Sequence, residues 1–489
     1  MAHRNILILS FLFAFGMTYA QTVSNPLPQT RMDVLNAGLP VVEITTVNNE
    51  LPTCDKVGGQ PYGIDVYSIA NATKVPGRLT ISTKKGVLYD SGNYEKDMSG
   101  MTFKIRGNTS GLYDKKPYKI KLQKKADLLC RGDKKYNNKN WLLIHDINYL
   151  NKIGFKVNEL MGMQWTPGFK YVNVIINGKY QGLYMLLESV ERDVDNRINI
   201  SKDGYIFEYD MYWWKEDFYI KIPTYLPWKM YYTFKYPDTE DMTDDQKTYF
   251  TNMIKAVETS ISNGTYQNYI DISSFASWVL AHDILGTADG SGSNIFLTKY
   301  DNTKDSKVMM ANLWDFDSAF QITDDWSAPH SFFYFRYLFT NNPNNAFIKA
   351  YRNKWNDVSP TIFNQLSSFL DEFAASKEAP ALDLSLEWDH QLWNWSWHRF
   401  SVGELATLFK SKLKDRKSWL TNAISKFPSS NIKGDVNGDT YVNEQDLQIL
   451  VDIIMKKNLN YKLSRADVNG DKKVNVADIV ALIKILRNK

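Results

Sequence analysis

The chain has 489 residues, enough for one large domain with a small one, or for two or three ordinary domains. Its formal net charge is only +4, with Lys and Arg interspersed among Asp and Glu, which excludes the strongly basic surface of a nucleic-acid-binding protein. Two cysteines, Cys54 and Cys130, could pair in an oxidising compartment but are too few for a disulfide framework. No stretch beyond the N-terminus is long and apolar enough to span a bilayer, so we expect no membrane partner.

The N-terminus has the pattern of a secretory signal peptide. Arg4 precedes the apolar run 6–16, and a small-residue cleavage site ends at Ala20. A membrane anchor is the alternative, but an anchor needs about 20 consecutive apolar residues, and this run is shorter. We therefore predict a signal peptide over 1–20, an N-terminal linker over 21–38, and a secreted or cell-surface protein.

The first part of the main domain reads as short strands separated by turn residues. These predicted strands are 41–45, 78–82, 86–89, 102–105 and 118–122. A helix is expected at 150–161, followed by strands at 171–176 and 180–187. Asn177-Gly178 between the last two strands is the strongest short hairpin signal a sequence can carry.

The second part is richer in helices. Helices are expected at 244–260 and 272–285, strands at 295–300 and 307–313, and further helices up to Lys426. Strands first and helices later favour an α+β fold with a β-rich N-terminal lobe and a helical C-terminal lobe. A cleft between two lobes is a common place for a nucleotide. We expect this domain to extend over 39–426.

A loop after the predicted helix 272–285 contains Asp289 and Asn294, and a later strand leads into Asp315. Phosphoryl transfer needs a carboxylate that orients the acceptor hydroxyl, and oxygen ligands that hold magnesium against the phosphates. Protein kinases take these groups from an Asp, an Asn five residues later and an Asp that ends a following strand. Asp289, Asn294 and Asp315 have this order and spacing, and Phe316 follows the third. The alternative is that Asp289 and Asn294 only shape a Gly-Ser-rich loop.

Five motifs occur in the order found in one known family. They are Arg106-Gly107-Asn108-Thr109-Ser110, the segment 115–122, the segment 177–188, the Asp289 loop up to Asn294, and Trp314-Asp315-Phe316-Asp317. In these motifs the chain resembles the CotH family of spore-coat protein kinases, over about residues 39–320. The resemblance implies a two-lobed, atypical protein-kinase-like fold. It also implies ATP with Mg²⁺ or Mn²⁺ and phosphorylation of Ser or Thr in a partner protein.

The resemblance further implies roles for the acidic residues. Asp289 is the candidate catalytic carboxylate, and Asn294 and Asp315 are the candidate ligands of Mg²⁺ or Mn²⁺. Asp317 is a second acidic group, close enough in sequence to hold the metal or to orient Asp315.

Three further residues are candidates for nucleotide binding. Arg106 could contact phosphate through its planar guanidinium group. Lys119 would neutralise phosphate charge, with Lys121 as the alternative because it shares the same strand face. Both lysines could equally form the solvated face of an amphipathic strand. Glu188 ends a strand where a kinase-like fold has its hinge, so we expect it near the base or the sugar.

Trp388, Trp393, Trp395 and Trp397 form an aromatic cluster. Such rings can bind a glycan, because the C–H face of a sugar packs on an aromatic face. The alternative, which we favour, is a core helix whose aromatic side chains are partly buried.

Near the C-terminus, an acidic pattern repeats after 32 residues. Each copy places ligands at positions 1, 3, 5, 7, 9 and 12 of a loop, and position 7 uses its backbone carbonyl. The two sets are Asp435, Asn437, Asp439, Tyr441, Asn443 and Asp446, and Asp467, Asn469, Asp471, Lys473, Asn475 and Asp478. An apolar-periodic helix follows each loop. Two such loops in register predict a pair of Ca²⁺ sites, because calcium prefers several oxygen ligands.

Position 12 is Asp rather than Glu, and no amphipathic helix leads into the first loop, so this is not a full EF-hand. The segment 434–489, after a short linker over 427–433, resembles type I dockerins. The resemblance implies a small all-α module whose duplicated loop–helix segment binds a cohesin domain. Position 6, usually Gly in dockerins, holds Thr440 and Lys472.

Positions 10 and 11 help dockerins to select a partner. In this chain they are Glu444-Gln445 and Val476-Ala477, so the two faces differ. These residues and the helices beside them are the expected cohesin contacts. The alternative is a calcium-stabilised cap without a cohesin partner.

We therefore expect an exported kinase-like enzyme that a dockerin attaches to a cohesin-bearing complex, such as a polysaccharide-degrading cellulosome. The alternative is a non-catalytic scaffold or glycan-binding component of such a complex. A third possibility is a glycoside hydrolase, whose paired carboxyls, here Asp289 and Asp315, would stand about 5–5.5 or 6.5–9.5 Å apart. The intact acidic set favours the enzyme, because a binding module has no need of it, although a metal held for structure would also explain it.

Overall fold

A computed structural model of the protein describes residues 25–216, 218–222, 230–290, 292–340, 345–428, 432–458 and 461–488. The predicted signal peptide, 1–20, lies outside these residues. No helix in the described part of the chain is long and apolar enough to cross a membrane.

The chain contains a β-rich N-terminal part and a helical C-terminal part, which confirms the predicted α+β class. The strands are β1 (Val41–Thr46), β2 (Asp55–Gly59), β3 (Val66–Ala70), β4 (Val75–Thr83), β5 (Gly86–Asp90), β6 (Met101–Ile105), β7 (Tyr118–Ala126), β8 (Asn138–Ile144), β9 (Phe169–Ile176), β10 (Lys179–Glu188), β11 (Tyr205–Tyr209), β12 (Ile220–Ile222), β13 (Met230–Tyr236), β14 (Ile295–Lys299) and β15 (Val308–Met310). The helices are α1 (Arg31–Asn36), α2 (Leu150–Leu160), α3 (Asp244–Asn263), α4 (Ile272–Leu285), α5 (Phe335–Thr340), α6 (Ala346–Val358), α7 (Ile362–Ala374), α8 (Ala379–Trp393), α9 (Val402–Ser425), α10 (Glu444–Ile454), α11 (Leu463–Ala466) and α12 (Val476–Arg487).

The N-terminal strands form a closed barrel. The hydrogen-bonded order is β1-β9-β10-β8-β7-β6-β4, and β4 pairs back to β1 with antiparallel register from Val41↔Ser82 to Thr46↔Gly77. On the other edge of β4, β6 pairs with residues 75–77 and β5 pairs with residues 80–83. Alternate side chains point inward, as the two-residue period of a strand requires, and they fill the barrel with its own core. Trp141, Leu186 and Phe103 belong to this core.

A second sheet follows the barrel in the chain. Its order is β12-β13-β11-β14-β15, and every pair in it is antiparallel. The sequence predicts β14 and β15 but not β11 and β13. These two strands carry Glu208 and Lys235, which matter for the site described below.

The helical part is built around α4, whose residues are almost all buried. The Asp271 side chain caps its start by accepting from the Ser274 amide at 2.6 Å. Gly286 ends it with a left-handed φ of 56°. Helices α6 and α9 pack against α4. The observed bounds, 272–285, are those that the sequence predicts.

The described part of the predicted linker 21–38 is folded. Helix α1 has a Thr30 capping box, and its Val34 and Leu35 pack against Val41 and Ile175 beside the barrel. Cys54 and Cys130, whose pairing the sequence leaves open, are both free thiols.

Candidate active site and calcium loops

Two segments bring the predicted acidic residues together. The first follows α4 and contains residues 287–290 and 292–294, and the second follows β15 and contains Asp315 and Asp317. Gly286 lies immediately before the first segment. No side chain fits at this position, because a Cβ there would lie 2.1 Å from the Ile322 carbonyl oxygen.

Backbone hydrogen bonds join the two segments. The Ala288 amide donates to the Ser318 carbonyl at 3.2 Å, and the Asp289 amide donates to Ser318 Oγ at 2.9 Å. Phe320 donates to the Leu285 carbonyl at the end of α4. The position of Asp289 is therefore tied to the segment that carries Asp315.

Asn294 and Asp315 are in direct contact. Asn294 Nδ2 lies 3.0 Å from Asp315 Oδ2, and the Asn294 amide donates to Glu208 Oε1 at 2.9 Å. Both residues have a φ of 63°, in the left-handed region that few residues other than glycine adopt. The Phe316 ring packs directly on Gly154 of α2, and this contact holds the second segment in place.

The acidic residues repel one another. Burial raises the pKa of Asp315 well above its usual range, and the charges of Asp317 and Asp289 raise it further. Burial and the Asp289 charge raise the pKa of Asp317 to about 6. Both residues are nevertheless exposed, so the acidic cluster lies at the surface of the protein rather than in the core. A divalent cation bound beside these carboxylates would relieve the repulsion.

Carboxylates alone do not enclose a metal ion at this site. No group of three or more His, Cys, Asp and Glu side chains among the described residues is arranged to hold one. Asn294 adds a side-chain amide oxygen beside Asp315. The phosphate oxygens of a bound nucleotide would add further oxygen ligands. Carboxylate and amide oxygens are the kind of ligand that Mg²⁺ or Mn²⁺ prefers, so the chemistry of these side chains fits such an ion.

A basic group faces the acidic cluster. Arg106 interacts with both Asp315 and Glu208, although burial lowers its pKa. Lys119 lies on β7, where burial lowers its pKa. The charge of Glu191 acts against this shift, and the charges of Lys104, Lys235 and Arg106 lower the pKa of Lys119 further.

The sequence analysis missed Glu208, Lys235 and Asp210 at this site. Lys235 Nζ lies 3.0 Å from Glu208 Oε2, and this contact raises the pKa of Lys235 in spite of burial. Burial and the neighbouring Glu208 raise the pKa of Asp210 to about 7. Glu208 thus links Lys235, Arg106 and the backbone of Asn294. A lone charged residue within the aromatic run of β11 was the signal that could have revealed it.

Two other predicted nucleotide-binding residues have different surroundings. The Glu188 carboxylate is buried and accepts from Arg131 Nη2 and from the Gly168 amide, both at 2.8 Å. Its side chain is therefore committed to the protein. Lys121, the alternative to Lys119, is exposed on β7.

The tryptophan cluster belongs to the packing of α8 against the barrel. Trp388 is buried, Trp393 Nε1 donates to the Gln181 carbonyl at 3.0 Å, and Trp395 Nε1 donates to Asp389 Oδ2 at 2.9 Å. Trp397 packs edge-on against the His390 ring. These contacts support the interpretation as core over a glycan platform.

The two C-terminal loops have the same backbone geometry. Position 6 donates its amide to the position 1 carboxylate in both, from Thr440 to Asp435 at 2.9 Å and from Lys472 to Asp467 at 2.8 Å. Thr440 and Lys472 have φ of 74° and 66°, so they adopt the left-handed conformation for which glycine is usual at this position. Both loops therefore keep the same conformation without glycine at position 6, and the cost is backbone strain at Thr440 and Lys472.

The loop side chains fit a calcium ion. Asp435 Oδ1 is buried and has no hydrogen-bond partner among the described residues. Asp446 accepts from the amides of Val436 and Asn443, at 2.8 and 2.9 Å, and so faces into the first loop. An orphaned carboxylate oxygen beside other carboxylates is what a bound cation would satisfy.

These features define an α+β protein with an exposed acidic cluster and a small helical C-terminal module that carries two acidic loops. The model of the CotH kinase protein family matches residues 103–390, which is more than half of the chain, and the protein belongs to this family. The model of the dockerin type I domain matches residues 433–487. The dockerin match implies calcium binding, a cohesin partner and an extracellular, cellulosome-type attachment. A search of curated proteins finds no match to the chain.

Proposed function

We propose that the main domain transfers a phosphoryl group from ATP to Ser or Thr hydroxyls of partner proteins. The observation that supports this function is the contact between Asn294 and Asp315, close to Arg106, which interacts with Asp315 and in turn with Lys119. Oxygen ligands on one side and cationic side chains on the other suit a nucleotide with its metal, because the two sides share the phosphate charge.

Asn294, Asp315 and Asp317 would hold Mg²⁺ or Mn²⁺. When bound, this cation neutralises charge on the phosphate oxygens. Asp315 is the central ligand in this proposal, because it contacts Asn294 and interacts with Arg106, Asp289 and Asp317. Protonation of Asp315 and Asp317 would compete with the metal, since both carboxyls have raised pKa values.

Asp289 would act on the acceptor. Its side chain is exposed, so a protein substrate can reach it. It would orient the Ser or Thr hydroxyl and take its proton. The acceptor oxygen forms the new bond to the γ-phosphorus, and the bond from that phosphorus to the leaving oxygen of ADP breaks.

The basic side of the cleft would bind the phosphates. Arg106 can present a planar pair of N–H donors to phosphate oxygens, and Lys119 adds a mobile charge. Lys235 is a third candidate, held in place by Glu208.

The C-terminal module would attach this enzyme to a cohesin-bearing complex that degrades polysaccharide, after secretion and removal of residues 1–20. The kinase acceptors would then be other proteins of that complex or of the cell surface.

Labelled ATP provides the test. The calcium-loaded chain is incubated with γ-labelled ATP and a Ser-rich acceptor, with Mg²⁺, with Mn²⁺ or with neither. We expect label on the acceptor or on the chain itself only when one of these metals is added. If no nucleotide and no metal gives transfer, a non-catalytic scaffold becomes the better account of the protein.

A further inference from the structure

The first half of the dockerin module is docked on the main domain. Asn353 of α6 donates from Nδ2 to the Gly438 carbonyl at 3.1 Å, and Lys307 Nζ donates to Gln445 Oε1 at 2.9 Å. The Tyr441 side chain packs against the core of the main domain. Gly438, Tyr441 and Gln445 are positions 4, 7 and 11 of the first calcium loop.

The segment between the two loops strengthens this contact. Asp357 near the end of α6 accepts from Arg465 Nη1 at 2.6 Å and forms a salt bridge with Lys462 at 3.0 Å. Lys462 also donates to the Asn356 carbonyl at 3.2 Å. The Arg465 guanidinium lies over Gly438, since a Cβ at that glycine would come within 1.9 Å of it.

The two loops therefore differ in environment although they match in sequence. In the first loop Asp435, Asp439 and Asp446 are all buried. In the second loop the segment 470–473 is exposed. The helix after the second loop is open as well, with Val476 62% exposed and Val480 47% exposed.

We propose that calcium in the first loop, and not in the second, holds the module against α6. Tyr441 is the position 7 ligand through its backbone carbonyl, and Gly438 and Gln445 are each next in the chain to a ligand of the same loop, so a bound ion would fix the backbone around all three. Without the ion, the buried carboxylates of the first loop repel one another and the loop opens. The docking contacts then lose their geometry, whereas opening of the second loop leaves them in place. This proposal is independent of the proposed phosphotransfer.

The docked arrangement divides the module into two functions. Gln445, one of the predicted partner-selecting residues, is engaged by Lys307. Val476 and Ala477, their counterparts in the second half, are exposed. Glu444, next to Gln445, is exposed as well. The first half thus contacts the main domain through Gln445, and the second half leaves both of its partner-selecting residues open to a partner.

Hydrogen exchange on the full chain tests the proposal with calcium as the only ligand. The matched variants are Asp435→Ala and Asp467→Ala, which remove the same position 1 carboxylate from the first and the second loop. Isothermal titration should show that each variant binds one calcium ion fewer than the wild type. The readout is amide exchange over 353–359, the end of α6 that contacts the module.

In the wild type, chelation of calcium should accelerate exchange over 353–359 by at least about fivefold, as expected for a locally opened contact. Asp435→Ala should show the same acceleration with calcium present, and Asp467→Ala should match the loaded wild type. Asp357→Ala should bind two calcium ions and yet show faster exchange in the first loop. Equal exchange in both loop variants, or no response to chelation, would overturn the proposal.

Discussion

The side-chain amide of Asn294 donates to the carboxylate of Asp315 across 3.0 Å, although the residues lie 21 positions apart. Both have a φ of 63°. A residue other than glycine in this conformation costs about 1–3 kcal/mol, and Asn and Asp are among those that tolerate it best. The left-handed backbone of both residues directs the Asn294 and Asp315 side chains towards each other, as a ligand bound by both would require.

Asp315→Asn should separate stability from activity. The substitution removes one of three neighbouring negative charges, so the melting temperature without metal should stay the same or rise. Phosphoryl transfer should fall by at least about 100-fold, because positioning and charge neutralisation supply most of its catalysis. Melting curves and label transfer from ATP measure the two effects.

Asp305→Asn is the control for this experiment, since Asp305 is exposed in a loop away from the acidic cluster. It should leave both measurements unchanged. Equal label transfer by wild type and Asp315→Asn would show that Asp315 has been given the wrong role.

Lys119→Ala should weaken nucleotide binding, whereas Lys121→Ala should not. Lys119 is partly buried and interacts with Arg106, whereas Lys121 is exposed on the same strand. A charge-assisted contact contributes about 1.5–3 kcal/mol, so the KM for ATP should rise about 10–100-fold in the first variant. If Lys121→Ala has the larger effect, the two assignments must be exchanged. If neither matters, Lys235 is the lysine to test.

Glu258→Gln should change how stability depends on pH. Burial raises the pKa of Glu258 in the folded protein to about 8, from about 4.3 in an unfolded chain. Between these values the folded state keeps a proton that the unfolded state releases, so the free energy of unfolding falls as pH rises towards 8. Gln stays neutral and can still accept from Tyr334 Oη. The variant should therefore melt at least about 2 °C above wild type at pH 8.5, with a smaller difference at pH 5.

Glu372→Gln serves as the comparison for that series, because Glu372 is exposed on α7. Its melting temperature should follow the wild type at every pH. A parallel pH profile for Glu258→Gln and wild type would refute the assignment.

Lys115→Met should destabilise the junction between the barrel and α8. Lys115 Nζ lies 2.5 Å from both Asp389 Oδ1 and the Leu183 carbonyl, and both charged side chains are only 3% exposed. Removing one partner of a buried pair leaves an uncompensated charge and costs about 3–5 kcal/mol. Denaturant unfolding should show this loss, and Lys115→Met with Asp389→Asn should recover part of it. A double variant no more stable than the single one would mean that the charge is not the cause.

Local signals in the sequence predicted the elements on which the site is built. The 272–285 helix has the predicted bounds, and Asn177 and Gly178 both have positive φ, as a two-residue hairpin turn requires. The kinase-like order singled out Asn294 and Asp315, which lie in hydrogen-bond contact. These features depend on neighbours in the chain, which is why sequence reasoning reached them.

The missed elements depend on burial that the local sequence does not reveal. All five residues of β11 are buried, so it shows no polar–apolar alternation and resembles any short apolar run. Glu208 was missed with it, and Lys235 was missed with β13. The closing pairs between β1 and β4, and the contact between Asn353 and the first calcium loop, join distant segments that no periodicity relates.

The contact between the dockerin module and α6 also bears on substrate choice. A protein on a flexible tether explores a sphere around its attachment point, and its encounters depend mainly on the length of the tether. The contacts at Asn353, Asp357 and Lys307 hold the module against the main domain. The proposed active site therefore keeps a fixed orientation relative to a partner that binds α12. Neighbours on one side of the attachment point then have a high effective concentration at Asp289, and those on the other side have almost none. Position along a scaffold would thus select acceptors before any side-chain recognition takes place.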